Sequence, residues 1–207
     1  MKGKRLSRKE RERERQRREI MAAAHTLFSE KGYHGVSMQE IADQAEFAVG
    51  TLYIFFKSKG DLYQESMLEE TEKFMGQLGK VLDEPVDEVA KLRNLVRAKG
   101  TYFLNNASKI RIFHAELRQA SDSAITELDL KIQTKRLSLM KDVAAVFESG
   151  MKKGTFQRIG DPYILAKSLD NITHSFLLSW IEDPEQYPYP EDPDVILNIL
   201  FKGLIQD

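Results

Sequence analysis

Gly50–Lys59 reads GTLYIFFKSK, and the fold turns on whether this run is a strand or a helix. Thr51, Tyr53, Ile54, Phe55 and Phe56 are β-branched or aromatic, the types that favour a pleated sheet. As a strand, Thr51/Tyr53/Phe55 and Leu52/Ile54/Phe56 would form two semi-apolar faces with no second strand nearby. A lone strand leaves its backbone groups unsatisfied. As a helix, the run places Val49, Leu52 and Phe56 at i, i+3 and i+7 on one inward face, with Gly50, Thr51, Tyr53 and Phe55 outside. Packing routinely overrides local propensity, so helix is the reading.

The residues upstream explain why a helix belongs there. Ile20, Ala24, Leu27 and Phe28 repeat with helical spacing, and Gly32 supplies a C-cap. Ser37 and Glu40 form a capping box for a short helix carrying Ile41, Ala42 and Ala45. A short helix, a tight turn and a second short helix, packed on a preceding one, is a helix-turn-helix arrangement. Its second helix enters the DNA major groove N-terminal end first, here Ala48-Val49-Gly50-Thr51. Gly50 lets the backbone approach closely, Thr51 and Tyr53 offer hydroxyls to phosphates, and Lys59 adds a charge. The plainer alternative is a generic small helical core. Leu52 and Phe56 are core residues under either reading, but packing does not require an outward Thr51, Tyr53 or Lys59.

Leu27–Tyr63, and above all its Gly-Thr-Leu-Tyr-x-x-Phe-x-x-Lys pattern at 50–59, resembles the tetracycline-repressor (TetR/AcrR) family of bacterial transcription regulators. Beyond Tyr63 the likeness lies in the number of helices and in FESGMKKGTF at 147–156. The resemblance implies an all-α chain with three DNA-binding helices and a six-helix regulatory domain. It implies pairing of two subunits through the last two helices, and release from DNA when a small molecule enters the regulatory domain. It also implies that Gln39, Ala48, Val49, Gly50, Thr51, Tyr53, Phe55 and Lys59 face DNA.

Several of these residues depart from the family pattern. Glu46 stands where a turn glycine is usual, and a positive φ there costs roughly 1 kcal/mol. Ala48 replaces a frequent Ser or Thr, so the helix loses its N-cap, at about 1 kcal/mol. Val49 and Phe55 replace residues that are often polar. Hydrogen-bonded base readout is therefore poor, and contact of Ala48 or Val49 with thymine methyls is the available substitute.

The charge pattern offers compensation. The net charge is −1, yet the first 18 residues hold ten Lys/Arg, Arg5 and Arg8 among them, against three Glu, a local balance of +7. A basic end on an otherwise acidic chain suggests an anionic partner for that end. The plainer reading is a solvated helix start with Glu/Arg pairs at helical spacing. As a DNA-binding arm, it would hold phosphates or place arginines in a narrow minor groove.

The chain divides by this reading into a basic arm at 1–18, a DNA-binding domain at 19–60 and a ligand-binding and dimerisation domain at 61–207. Asp161-Pro162 and Asp192-Pro193 mark two late helix starts. The helices after them are apolar around most of their circumference, as expected where one face meets the body and the other a second subunit. Tyr102, Phe103, Phe113, His114, Phe147, Phe176 and Trp180 fall on inward or partly inward faces and are the candidate ligand contacts. The same spacing equally describes a plain aromatic core. His174, Asn171 and Arg118 are weaker candidates.

Catalysis finds no support. None of the four histidines follows a Glu at the spacing of a di-metal bundle, and no P-loop, GxSxG or HExxH occurs. There are no cysteines, which excludes disulfides and thiolate metal sites and fits the cytoplasm. No apolar run approaches ~20 residues and no secretory signal is present, so no membrane is expected. The expected partners are a double-stranded DNA operator, a second copy of the chain and a small apolar or amphipathic ligand, with no cofactor. The rival is a DNA-binding dimer controlled by a protein partner or by abundance.

Overall fold

The computed structural model describes residues 7–118 and 123–202. Among these, nine helices and no strand occur. They are α1 (Arg8–Lys31), α2 (Met38–Gln44), α3 (Val49–Phe55), α4 (Lys59–Leu82), α5 (Glu88–Asn105), α6 (Ala107–Arg118), α7 (Ser123–Lys153), α8 (Pro162–Glu182) and α9 (Asp194–Phe201).

Local chemistry sets most of the ends. Ser7 and Glu10 form a capping box that starts α1, and Ser37 and Glu40 repeat the device on α2. Asp161 accepts from the N–H groups of Tyr163 and Ile164 at the start of α8, with Pro162 in the first turn. α9 begins one residue later than its Asp-Pro suggests. Pro193 is its N-cap, and Asp192 accepts from the Asp194 N–H at 2.9 Å. α1 and α7 end at Gly32 and Gly154, whose φ values of 74° and 79° favour glycine. Gly32 is doubly constrained, because a Cβ there would lie 2.5 Å from the Glu116 carboxylate.

The chain separates into two compact units, Met1–Glu70 with Ser108–Lys131, and Thr71–Ala107 with Ile132–Asp207. In the first, Ile20, Ala24, Phe28, Ile41, Leu52, Phe56, Leu62 and Tyr63 are buried together with Ile125 and Leu128. The Phe28 and Tyr63 rings meet edge-on at 5.0 Å. The Glu116 carboxylate accepts from the Tyr33 backbone N–H and, at 3.1 Å, from the Tyr63 hydroxyl. Burial, with Glu116 beside it, pushes the Tyr63 hydroxyl well above the usual tyrosine range. Gln64 donates to the Ala124 carbonyl and the Glu127 carboxylate, while Lys131 donates to Gln64. α6 and the start of α7 thus pack with the helix-turn-helix, so Phe113 and His114 belong to this unit rather than to the second.

The second unit has its own core, including Leu78, Leu92, Val96, Val143, Phe147, Leu169 and Ile196. Phe74 and Tyr102 stack at 3.8 Å. Arg93 grips Asp194 with two bonds of 2.7 and 2.9 Å, tying α5 to α9. Glu88 accepts from Ser149 and Lys153 at 2.8 and 2.5 Å, and these two donors draw its carboxyl down to about 2.

Candidate nucleic-acid interface

The turn between α2 and α3 is where the sequence is under most strain, and the geometry bears the expectation out. Glu46 has φ 59°, alone among the described non-glycine residues in being positive. For a residue with a Cβ this costs roughly 1–2 kcal/mol. The N-cap of α3 is Ala48, and no side chain bonds the first free N–H groups.

α3 holds on through Leu52, which is fully buried. The helix stops at Phe55, one residue short of the expected span. Phe56 is its extended C-cap (φ −133°), and it is the ring there, not a further helical turn, that fills the core. Val49 is only half-buried rather than inward-facing, and Ala48 and Gly50 are exposed. A Cβ on Gly50 would meet no atom within 4 Å, so nothing in the protein itself requires a glycine there. Tyr53 is 54% exposed and Ile54 66%. Ile54 escaped the sequence reading, although it lies one helical turn from Gly50 on the same outer face.

Gln39 is exposed on α2 but engaged, donating to Asp43 at 2.8 Å. The Glu40 carboxyl is drawn to about 2, first by the Ser37 backbone N–H and then by Lys31 and the Ser37 hydroxyl. Lys59 does not stand free as a phosphate contact. Its ammonium donates to the carbonyls of Tyr33 and Val36 at 2.9 and 3.0 Å and lies 4.3 Å from the centre of the Tyr33 ring. It straps the start of α4 to the loop before α2.

The basic arm is largely a helix. From Arg8 onward it is the first part of α1, so an extended minor-groove segment cannot include Arg8 or anything after it; Arg5 lies outside the described residues. Arg15 is clamped by Glu12 and Glu19 at 2.7 and 2.8 Å, and Arg17 pairs with Glu65. The Arg13 guanidinium lies 5.6 Å from the centre of the Phe55 ring and that of Arg17 5.2 Å from Phe56. Phe55 is thereby a platform for an exposed arginine rather than a bare apolar surface. Neither Arg13 nor Arg17 had been singled out from the sequence, because the contact joins residues about forty positions apart.

Of the seven candidate ligand residues, Phe147 is buried core, and Tyr102, Phe103 and Phe176 are partly buried against it. Trp180 is half-buried on α8, and Phe113 and His114 lie in the first unit. Tyr102 lines an open groove together with Gln77, Asn94, Arg97 and Asn105. A narrower apolar pocket in the second unit, with room for about one water, is lined by none of the seven.

A short exposed helix after a strained turn, set beside a basic helix, defines a helix-turn-helix protein of the DNA-binding type. The family profile of bacterial regulatory proteins, tetR family, matches residues 20–66, about a quarter of the chain. It is 25% identical over 141 residues to the HTH-type transcriptional repressor KstR2 of Mycolicibacterium smegmatis, covering 68% of this chain and 67% of that protein. It is 22% identical over 186 residues to the fatty acid metabolism regulator protein of Bacillus subtilis, covering 90% and 94%. In three dimensions it resembles FadR from Bacillus subtilis, crystallised with stearoyl-CoA, at a TM-score of 0.71 and 19% identity over 91% of this chain and 99% of that one.

Proposed function

We propose that the protein is a homodimeric transcriptional repressor that binds a palindromic DNA operator and is released by a small apolar or amphipathic ligand. It acts in the cytoplasm, where its operator lies, and is not an enzyme. The observation that carries the DNA-binding part is the outer face of α3. Gly50 has no internal reason to be glycine, Tyr53 and Ile54 stand in solvent, and Arg13 is held alongside on Phe55. DNA binding is assigned to the first unit. Ala48, Val49, Gly50, Thr51 and Tyr53 approach the major groove, and Arg8 and Arg13 approach phosphates.

Ligand binding and subunit pairing are assigned to the second unit. Pairing is supported by the apolar surface of α8 and α9, where Ile164, Val195 and Ile199 are 57%, 49% and 40% exposed. Ligand response is supported by the kinship with regulators of fatty-acid metabolism, one of them crystallised with an acyl thioester. By linkage, a ligand that weakens DNA binding is itself bound more weakly by the DNA complex, by the same factor.

Selection of duplexes from a random pool tests the first claim. The expected product is a palindrome with half-sites about 34 Å apart or modestly more. Recovery of unrelated sequences would defeat it. One observation favours the rival without a ligand: the pocket of the second unit has room, as it stands, for about one water. Operator affinity unmoved by a broad panel of lipids and metabolites would decide for that rival.

A further inference from the structure

The basic half of α1 has two faces. Its buried C-terminal face, with Ile20, Ala24, Leu27 and Phe28, continues upstream as Arg13 and Arg17, which stand seven residues before Ile20 and Ala24. These are the two arginines held over Phe55 and Phe56. Arg11 and Arg18, seven residues apart, share the other side. They stand about 100–160° around the helix from Arg13 and Arg17. Both are exposed. Among the described residues neither is held by a carboxylate, whereas Arg15 on the same side is clamped by Glu12 and Glu19.

Arg15 stiffens the segment, but Arg11 and Arg18 do not, and their charges are left without an internal use. Seven residues place them about 10 Å apart along the helix. A helix with its side chains is about 10–12 Å across, so whatever Arg11 and Arg18 meet lies that far from what Arg13 meets beside α3. That width exceeds the ~6 Å of a minor groove, and so carries the contact past the groove edge next to α3 to the strand beyond it. The chemistry suits phosphate, because guanidinium presents a planar fork that an ammonium lacks. It does not suit a lipid surface. A basic helix enters lipid with an apolar face opposite its cations, and here that side is taken by Arg13 and Arg17.

We propose that Arg11 and Arg18 form a second DNA contact, binding phosphates of the duplex that flanks each half-site, outside the groove that α3 enters. The proposal rests on the DNA-binding reading above and extends its footprint outward. Phosphates carry no sequence, so the flank is recognised by charge and position alone.

The test uses the full-length protein and fluorescence anisotropy. One duplex is the palindrome recovered by selection, cut flush at the outer edges of its half-sites. A second carries about ten further base pairs, one helical turn, at one end. The slope of log K against log salt is expected to be about 1.8 steeper on the longer duplex, for two phosphates at about 0.9 each. Scrambling the added base pairs should change neither affinity nor slope. Arg11→Gln combined with Arg18→Gln keeps good helix formers in α1. It is expected to abolish the difference in slope and to leave the flush duplex bound as before. Arg15→Gln removes a charge already answered by two glutamates and should leave the difference standing. An equal fall in that variant would show that net charge acts rather than placement, and would overturn the proposal. So would a loss in the double variant as large on the flush duplex as on the longer one. Capture of a second duplex, or binding to phosphatidylglycerol vesicles that the double variant loses, with equal slopes on the two duplexes, would give the stripe to that partner instead. Equal slopes on a genuine palindrome overturn this proposal and leave the DNA-binding reading intact; recovery of no palindrome removes both.

Discussion

Arg13 and Phe55 offer the sharpest test of how the first unit engages DNA. The guanidinium lies 5.6 Å from the ring centre, on the flank of α3. If Arg13 neutralises a phosphate, Arg13→Ala removes one counterion-releasing contact, and the slope of log K against log salt falls by about 0.9. Between 50 and 200 mM salt, affinity should then drop about 3.5-fold less than in the unaltered protein. A lost charge-assisted contact of about 1.5 kcal/mol corresponds to a loss of about tenfold at fixed salt. Phe55→Leu keeps an apolar side chain and removes the stacking platform. An exposed cation–π contact of about 0.5–1 kcal/mol sets its effect at about two- to fivefold. The salt slope of this variant should not change, because the charge is still present. The double variant carries the reasoning: with Arg13 already gone, Phe55→Leu should cost nothing further. Anisotropy titrations at four salt concentrations measure all four proteins, and Tm controls for folding. Additive losses, or an unchanged slope in Arg13→Ala, would refute the argument.

Four further outcomes are expected. Glu46→Gly relieves the positive φ and should raise Tm by about 2–4 °C, for about 1 kcal/mol in a chain of this size, with DNA affinity unaltered. Lys59→Met removes two hydrogen bonds to carbonyls, so it should lower stability by about 1–3 kcal/mol in denaturant titration; a variant of unchanged stability with weakened DNA binding would return Lys59 to the phosphate backbone. The folded-state value of Glu88, about 2, lies below its ordinary value of 4.5, so its contribution is complete above about pH 4.5 and is lost as pH falls toward 2. Glu88→Gln should flatten the acid limb of the stability profile in that window, and an unchanged limb would discount the Ser149 and Lys153 bonds. Replacing thymine by uracil in a half-site should cost about fourfold in affinity where Ala48, Val49 or Ile54 covers the methyl, since one buried methylene is worth about 0.8 kcal/mol.

What the sequence disclosed and what it hid separate along one physical line. Caps are satisfied within three or four residues, so Ser37–Glu40, Gly32 and Asp161-Pro162 could be read directly, and the helices they delimit stand where expected. The strain at Glu46 was legible for the same reason, as a turn needing positive φ with no glycine to take it. Even the end of α3 was misplaced by one residue only, because Phe56 is buried whether it is helical or extended. Contacts between distant residues left no such trace. Nothing local to Lys59 says that the Tyr33 and Val36 carbonyls await it. Lys99, Arg136 and Asp170 come from three helices, and each alone reads as a surface charge. Helical spacing is the same for a core ring and a ligand-facing one, so spacing alone could not separate the two roles among the aromatic candidates.

The helical form of the basic segment changes how its charge acts. The family match begins at residue 20, so Arg8–Glu19 adds twelve residues, about 18 Å of helix, ahead of the shared module. An extended arm that orders only on DNA loses conformational entropy at the moment of binding, at about 1–2 kcal/mol per residue fixed. A helix begun by the Ser7–Glu10 capping box has already met that cost in folding. The arrangement surrenders reach into the minor groove and gains fixed positions for its cations. It also explains the acidic residues among them. Glu12 and Glu19 immobilise Arg15, and Glu65 holds Arg17 against Phe56, so part of the positive charge stiffens the segment and is not offered to DNA. Arg13, placed beside α3 by Phe55, is what such a scaffold is suited to present under the DNA-binding proposal. An apolar residue at 55 is then no defect of readout: it converts a ring that cannot donate a hydrogen bond into the seat of a side chain that can.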